Sequence, residues 1–293
     1  MVADRPRTKI LLDGGDPDET LRVRSRLEFL DGETTNPTCI ARNPGIQKRL
    51  AAGRRLSRQE QFQEYRKIVQ RISPLVGDAG VSIEVFADFR TTAREMLEQG
   101  EEMFSWIPNA YIKYPCVPEG LRTAQMAVRR GIRVNMTLCF SQEQAAAVYA
   151  ATIGAAQPVY VSSFVGRLDD RGENGMDLVW NIKKMYAHGD GHVHVLAASR
   201  SLAHLLGSFS IGTELVSAPA KLLEQWVEAG LPQPDGDFVY QAVDADGKQL
   251  NPIPFKQLDL NSLWESFDLQ HELTTKGIER FVADHRSTRQ LAA

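Results

Sequence analysis

Short β-branched or apolar runs alternate with longer amphipathic ones along nearly the whole chain, and this alternation restricts the fold more than any other feature. The runs with strand character span residues 9–13, 33–36, 81–86, 110–114, 133–139, 158–162, 194–198 and 214–217. Segments between them repeat with helical spacing. In 59–72, Phe62, Tyr65, Val69 and Ile72 recur at three- and four-residue steps among Gln, Glu, Lys and Arg. Residues 119–130 do the same with Leu121, Ala124 and Val128. Eight strand–helix units predict an α/β fold, a single (β/α)8 TIM barrel, for which about 250 residues is usual. A doubly wound open sheet is the alternative, but neither GxGxxG nor GxxxxGKS/T follows the first strand.

No domain boundary is visible, so residues 1–293 are expected to form one barrel domain. Residues 43–56 read as loop or short helix. A Pro-, Gly- and Asp-rich excursion over 230–256 precedes additional C-terminal helices at 262–267 and 274–285. The ends, 1–8 and 286–293, are expected to be flexible.

With 293 residues, 43% hydrophobic and 24% charged, the chain has the composition of a soluble globular protein. A net charge of −3 gives no reason to expect nucleic acid as a partner. An anionic substrate would be held by local arginines rather than by an overall field. No stretch approaches the ~20 apolar residues of a membrane span. The first seven residues lack the apolar core of a signal peptide, so a cytoplasmic protein without membrane contact is expected. Cys39, Cys116 and Cys139 form no CxxC pair and read as reduced, packed thiols.

Active sites of such barrels sit at the C-terminal ends of the strands. There this chain offers Asp13 on strand one, Thr34, Thr35 and Asn36 on strand two, and Glu84 on strand three. Lys113 follows on strand four, Asn135 and Thr137 on five, Ser162 on six, and Ser199 with Arg200 just beyond seven. Charges inside apolar strands, as in Ile112-Lys113-Tyr114 and Ile83-Glu84-Val85, need partners or a function, because burying an unpaired charge costs several kcal/mol. An amine in apolar surroundings is disposed to attack a carbonyl and form a Schiff base. The iminium then draws electrons from an adjacent carbon–carbon bond. That chemistry needs one carboxylate to take the departing hydroxyl proton and another to relay protons through water, and Asp13 and Glu84 are available. Asn36, Asn135 and Ser162 suit polyol hydroxyls, and Arg167, with Ser199 and Arg200, suits a phosphate.

In these residues the chain resembles the transaldolase family. The matching segments are Asp31-Gly32-Glu33-Thr34-Thr35-Asn36-Pro37-Thr38, Val81-Ser82-Ile83-Glu84-Val85, and Ile112-Lys113-Tyr114-Pro115 with Glu119-Gly120-Leu121. Asn135-Met136-Thr137-Leu138 and the run from Ser162-Ser163-Phe164-Val165-Gly166-Arg167 to Asp170 continue the match. Thr275-Lys276-Gly277-Ile278-Glu279-Arg280-Phe281 with Asp284 looks like the family's last helix. The resemblance implies a class I aldolase-type barrel with Lys113 as Schiff-base lysine and Asp13 as acid/base on the cleaved bond. Glu84 and Thr137 would hold the catalytic water, Asn36, Asn135 and Ser162 the dihydroxyacetone unit, and Arg167 the phosphate. It implies transfer of that unit from sedoheptulose 7-phosphate or fructose 6-phosphate to glyceraldehyde 3-phosphate or erythrose 4-phosphate, as in the non-oxidative pentose phosphate pathway. Sugar phosphates are the expected partners, no metal or organic cofactor is implied, and a homodimer is suggested by the family alone.

Several positions depart from the family's pattern. Gly14-Gly15-Asp16 follows Asp13, Val117-Pro118 follows the fourth strand, Ser163 replaces a proline, and Ser199-Arg200-Ser201 puts the arginine one residue early. These rim changes point to an altered donor or acceptor as an alternative. The related fructose-6-phosphate aldolases, which cleave, carry Gln and Tyr where this chain has Glu84 and Phe164, so transfer is favoured. A non-catalytic sugar-phosphate-binding barrel would have no use for a buried amine between carboxylates. His188, His192 and His194 invite a metal reading but lie in and after a loop without fitting ligands, and read as surface.

Overall fold

A computed structural model of the chain describes residues 5–289. At its centre β1 (Lys9–Asp13), β2 (Gly32–Thr34), β3 (Gly80–Glu84), β4 (Ala110–Pro115), β5 (Val134–Cys139), β6 (Val159–Phe164), β7 (Val193–Ala198) and β8 (Leu215–Ala218) form a closed parallel barrel. Each strand pairs with the next, and β8 returns to β1 through Lys9↔Leu215 to Leu12↔Ala218. This is the (β/α)8 barrel that the alternation predicts. Strand ends shift by one or two residues; at β2 the Thr35 amide still bonds the Ser82 carbonyl, but Asn36 leaves the ladder. Asn36 instead caps a helix, its Oδ1 accepting the Cys39 amide at 2.9 Å.

Around the barrel run α1 (Pro17–Leu27), α2 (Pro37–Arg42), α3 (Pro44–Ala51), α4 (Arg58–Ile72), α5 (Ala93–Phe104) and α6 (Pro118–Arg129). They are followed by α7 (Gln142–Ala151), α8 (Val165–Asp169), α9 (Gly175–Tyr186), α10 (Leu202–Ile211), α11 (Ala220–Glu228) and α12 (Glu272–Ser287). Local chemistry sets many of the starts. Ser57 with Glu60 and Thr92 with Glu95 make reciprocal capping boxes at α4 and α5, and Ser141 and Ser201 cap α7 and α10. Residues 43–56 resolve into α3 and its flanking turns, 230–256 carry no helix or strand, and 262–267 hold a single 3₁₀ turn, Trp264–Ser266.

Leu11, Ala79, Tyr111, Tyr160, Leu196 and Leu215 cluster inside the barrel, with the Tyr111 and Tyr160 rings stacked at 4.1 Å. Side chains alternate along a strand, so residues two further on face the same way. Asp13, Lys113 and Ser162 therefore point inward one layer above this apolar plug, at the C-terminal ends of their strands.

The last helix does not simply cover the barrel's flank. It starts beside β5, where Thr274 Oγ1 donates to the Leu138 carbonyl at 2.9 Å, and reaches β2, where Thr38 donates to Asp284. It thus crosses the barrel mouth. Leu138 has φ 60°, a left-handed conformation costing a leucine about 1–2 kcal/mol. The ladder shifts register between Met136 and Cys139, so the β5 end bulges toward α12. Beyond the helix, the Leu56 amide bonds the Thr288 carbonyl at 2.9 Å and Arg289 bridges Leu56, so the end expected to be flexible from 286 is paired as far as 289. At the other end Thr8 Oγ1 donates to the Thr213 carbonyl at 2.8 Å, and Arg5 pairs with Asp31. The remaining terminal residues, 1–4 and 290–293, lie outside the described residues.

Candidate active site

Register brings the charged residues together. Glu84 on β3 is the lateral neighbour of Lys113 on β4, which in turn neighbours Asn135 on β5. Lys113 Nζ stands 3.2 Å from Glu84 Oε2 and donates to the Thr35 carbonyl at 3.0 Å. Both side chains are almost wholly buried, at 3% and 5% exposure, which makes this a desolvated pair rather than a surface ion pair. Burial raises the proton affinity of Glu84, and the neighbouring Lys113 draws it part of the way back.

Asp13 Oδ1 accepts from Thr34 Oγ1 at 3.0 Å, with Asn36 Nδ2 at 3.5 Å and Cys39 Sγ at 4.0 Å. On the opposite wall, Asn135 Nδ2 donates to Ser82 Oγ at 3.0 Å and its Oδ1 accepts from Ser162 Oγ at 2.8 Å. That chain fixes the amide of Asn135 and both hydroxyls. Thr137 Oγ1 and Ser199 Oγ are buried and make no hydrogen bond among the described residues, which leaves both able to bond a bound group.

Arg167, on α8, lies with its guanidinium 5.0 Å from the Phe164 ring and 5.9 Å from the Phe281 ring of α12. Burial, then the charges of Arg200 and Arg280, push it below the usual arginine range, while Glu84 and Asp13 oppose this. Arg200 has a different situation. Its Nη1 donates to Asp170 Oδ2 at 2.6 Å, and its aliphatic stem lies over Gly166, where a Cβ would stand 2.4 Å from Arg200 Cδ. The arginine one residue early is thus held by a carboxylate on the rim.

One supporting residue was legible only as core. Tyr65 of α4 is buried and accepts the Glu84 amide on its hydroxyl oxygen at 2.9 Å, while donating to Thr35 Oγ1 at 2.5 Å. Thr35 Oγ1 passes its own proton to the Ser82 carbonyl at 2.7 Å. Tyr65 therefore buttresses both Glu84 and the Thr35 carbonyl that holds Lys113. Its helical spacing marked an inward face, and nothing in the sequence distinguished its hydroxyl from another packed ring.

A cavity of about 480 Å³ opens on the β3 side and is lined by Glu84, Pro37, Phe86, Phe281 and His285, but by neither Lys113 nor Asp13. It is a side chamber next to the charged cluster. Elsewhere, His192 pairs with Asp190, and His194 is half-buried, its ring stacked on Tyr160. Among the described residues no cluster of three His, Cys, Asp or Glu is arranged to hold a metal, and no helix is long and apolar enough to cross a membrane.

Comparison with known proteins identifies the family. The family model described as Transaldolase/Fructose-6-phosphate aldolase matches residues 10–292. The chain belongs to the transaldolase/fructose-6-phosphate aldolase family. A protein named "Probable transaldolase" from Dehalococcoides mccartyi is 31% identical over 283 residues, covering 96% of this chain and all of that one. Another of the same name from Parabacteroides distasonis is 36% identical over 217 residues, 74% of this chain and 88% of that one. This chain buries a lysine–glutamate pair in the barrel and lays its last helix over the mouth.

Proposed function

We propose that the protein is a transaldolase, moving a dihydroxyacetone unit from a ketose phosphate, sedoheptulose 7-phosphate or fructose 6-phosphate, to an aldose phosphate through a Schiff base on Lys113. Its setting would be the pentose phosphate pathway in the cytoplasm. The observation that carries this reading is the buried contact of Lys113 Nζ with Glu84 Oε2 at 3.2 Å, inside a barrel mouth lined with hydroxyl-binding groups.

Lys113 hands a proton to Glu84, whose burial-raised proton affinity suits it to receive one, and the free amine attacks the ketose carbonyl. Glu84 returns the proton to the carbinolamine hydroxyl, which leaves as water, with Thr137 Oγ1 holding that water. The iminium then withdraws electrons as Asp13 takes the proton of the hydroxyl on the far side of the breaking carbon–carbon bond. An aldehyde departs, and the three-carbon enamine stays on Lys113. Asn36, Asn135 and Ser162 bind its hydroxyls, and Arg167 binds the phosphate of each aldose. Attack of the enamine on the acceptor aldehyde reverses the proton transfer at Asp13, and water then hydrolyses the imine.

Borohydride reduction in the presence of fructose 6-phosphate should leave a covalent adduct on Lys113, located by peptide mass. Lys113→Met, checked for fold by circular dichroism, should form none. An adduct on a different lysine would overturn the assignment. A donor–acceptor panel separates transfer from cleavage, because cleavage releases free dihydroxyacetone without an acceptor.

A further inference from the structure

We propose that Arg280, on the helix that crosses the barrel mouth, is a second phosphate-binding residue that sets the preference for phosphorylated substrates. The inference rests on reading the site as one for ketose phosphates and adds a residue from outside the barrel strands and their loops.

The geometry starts from α12. Its two anchors on the mouth are Thr274 to the Leu138 carbonyl and Thr38 to Asp284, and Arg280 lies between them. Between these anchors the helix passes directly over Arg167. A Cβ built on Gly277 would stand 3.0 Å from Arg167 Nη1 and 2.6 Å from Leu138 Cδ2, so any larger residue would have to push these side chains aside. With 3.6 residues per turn, Arg280 and Phe281 fall within about 60° of the direction in which Gly277 points. Phe281 meets that expectation, since it is buried and its ring lies 5.9 Å from the Arg167 guanidinium. Arg280 flanks the same direction from the other side.

The electrostatics point the same way. Arg167 makes no ion pair among the described residues, is half-buried, and feels the positive charges of both Arg200 and Arg280. Three cations so close repel one another, and a phosphate dianion among them would add attractions that outweigh that repulsion. Arg200 already has a carboxylate at 2.6 Å and its stem rests on Gly166. Among the described residues Arg280 has only a loose contact, Nε to Asp284 Oδ2 at 3.7 Å, with an oxygen that also accepts from Thr38. Of the two cations near Arg167, Arg280 has the looser carboxylate contact and turns onto an anion at the smaller loss.

Two variants and two readouts test this. Arg280→Gln should raise KM for fructose 6-phosphate about 5- to 30-fold, the range for losing one partly exposed charge-assisted bond. It should leave KM for unphosphorylated fructose within two-fold, and Arg280→Lys should recover part of the loss. Isothermal titration of inorganic phosphate into the full-length protein should show Kd weakened by a similar factor in Arg280→Gln. Phosphate affinity equal to wild type in Arg280→Gln would overturn the proposal, as would equal losses with both fructose and its phosphate. The titration requires no turnover, so a protein that forms no Schiff base would defeat the transaldolase reading while still answering the question about Arg280.

Discussion

Glu84 and Asp13 are both carboxylates at strand ends, yet their surroundings differ. Glu84 is desolvated, held by Lys113 and fixed through its backbone amide by Tyr65, whereas Asp13 is only partly buried and accepts from Thr34. Different surroundings imply different tasks. Glu84→Gln should slow imine formation and hydrolysis, seen as slower trapping, while Asp13→Asn should trap adduct normally and lose carbon–carbon cleavage. Each loss is expected to be about 10²–10⁴-fold, the usual range for a general acid or base. Trapping and transfer at wild-type rates in both variants would refute the proton scheme. The two rim arginines divide as clearly. Arg167→Ala should raise KM for phosphorylated substrates about ten- to a hundred-fold, whereas Arg200→Ala should change it by less than about three-fold, because Arg200 is exposed and turned onto the Asp170 carboxylate. Comparable losses in both, seen with phosphorylated donors only, would restore an ordinary pair of phosphate arginines.

Among the elements, strands were the easiest to read from the sequence and α12 the hardest. A buried parallel strand is a short β-branched run, so all eight could be located, and Lys113 and Glu84 stood out as charges within such runs. The ends were less legible. Asn36 reads as strand until its side chain is seen capping α2, and the pairing of Arg200 with Asp170, thirty residues earlier, is a contact that no spacing encodes. For α12 the helical spacing was visible, but its path over the mouth depends on tertiary anchors that no spacing encodes. Gly277 is the clearest case, since it sits mid-helix where glycine costs roughly 0.5–1 kcal/mol relative to alanine. The close approach of Leu138 and Arg167 accounts for it. Gly277→Val should therefore gain helix propensity yet lose about 1–3 kcal/mol of stability through overpacking, measured by urea unfolding, and should raise KM for phosphorylated donors by displacing Arg167. A variant as stable as wild type with unchanged KM would mean that α12 can lift off the mouth freely.

For the molecule as a whole, stability should depend on pH through groups that packing of the last helix has moved away from their ordinary values. His285 sits near the end of α12, its ring stacked on Phe86 at 3.9 Å. Burial, followed by the charges of Arg289, Arg58 and Arg286, pushes it down from the ordinary histidine value to about 4. Between that value and roughly 6.5, the unfolded chain binds a proton at this residue that the folded one does not. Its contribution is therefore fully present above pH 6.5 and is lost as pH falls toward 4, up to about 3 kcal/mol over the interval. Glu33 and Glu84, whose proton affinities are raised by burial, have the opposite sign, since their folded forms gain relative to the unfolded chain as pH falls. The pH profile of the wild type alone is thus a sum of opposed slopes and cannot isolate His285. A difference can. His285→Gln keeps a polar planar group against Phe86 but cannot titrate, so urea unfolding of variant and wild type should converge, or cross, as pH drops from 7 to 4.5. The wild type should lose the larger share of its stability. Parallel curves across that range would mean that the His285 ring accepts its proton in place, and that the last turn of α12 opens to water without releasing the helix from the mouth.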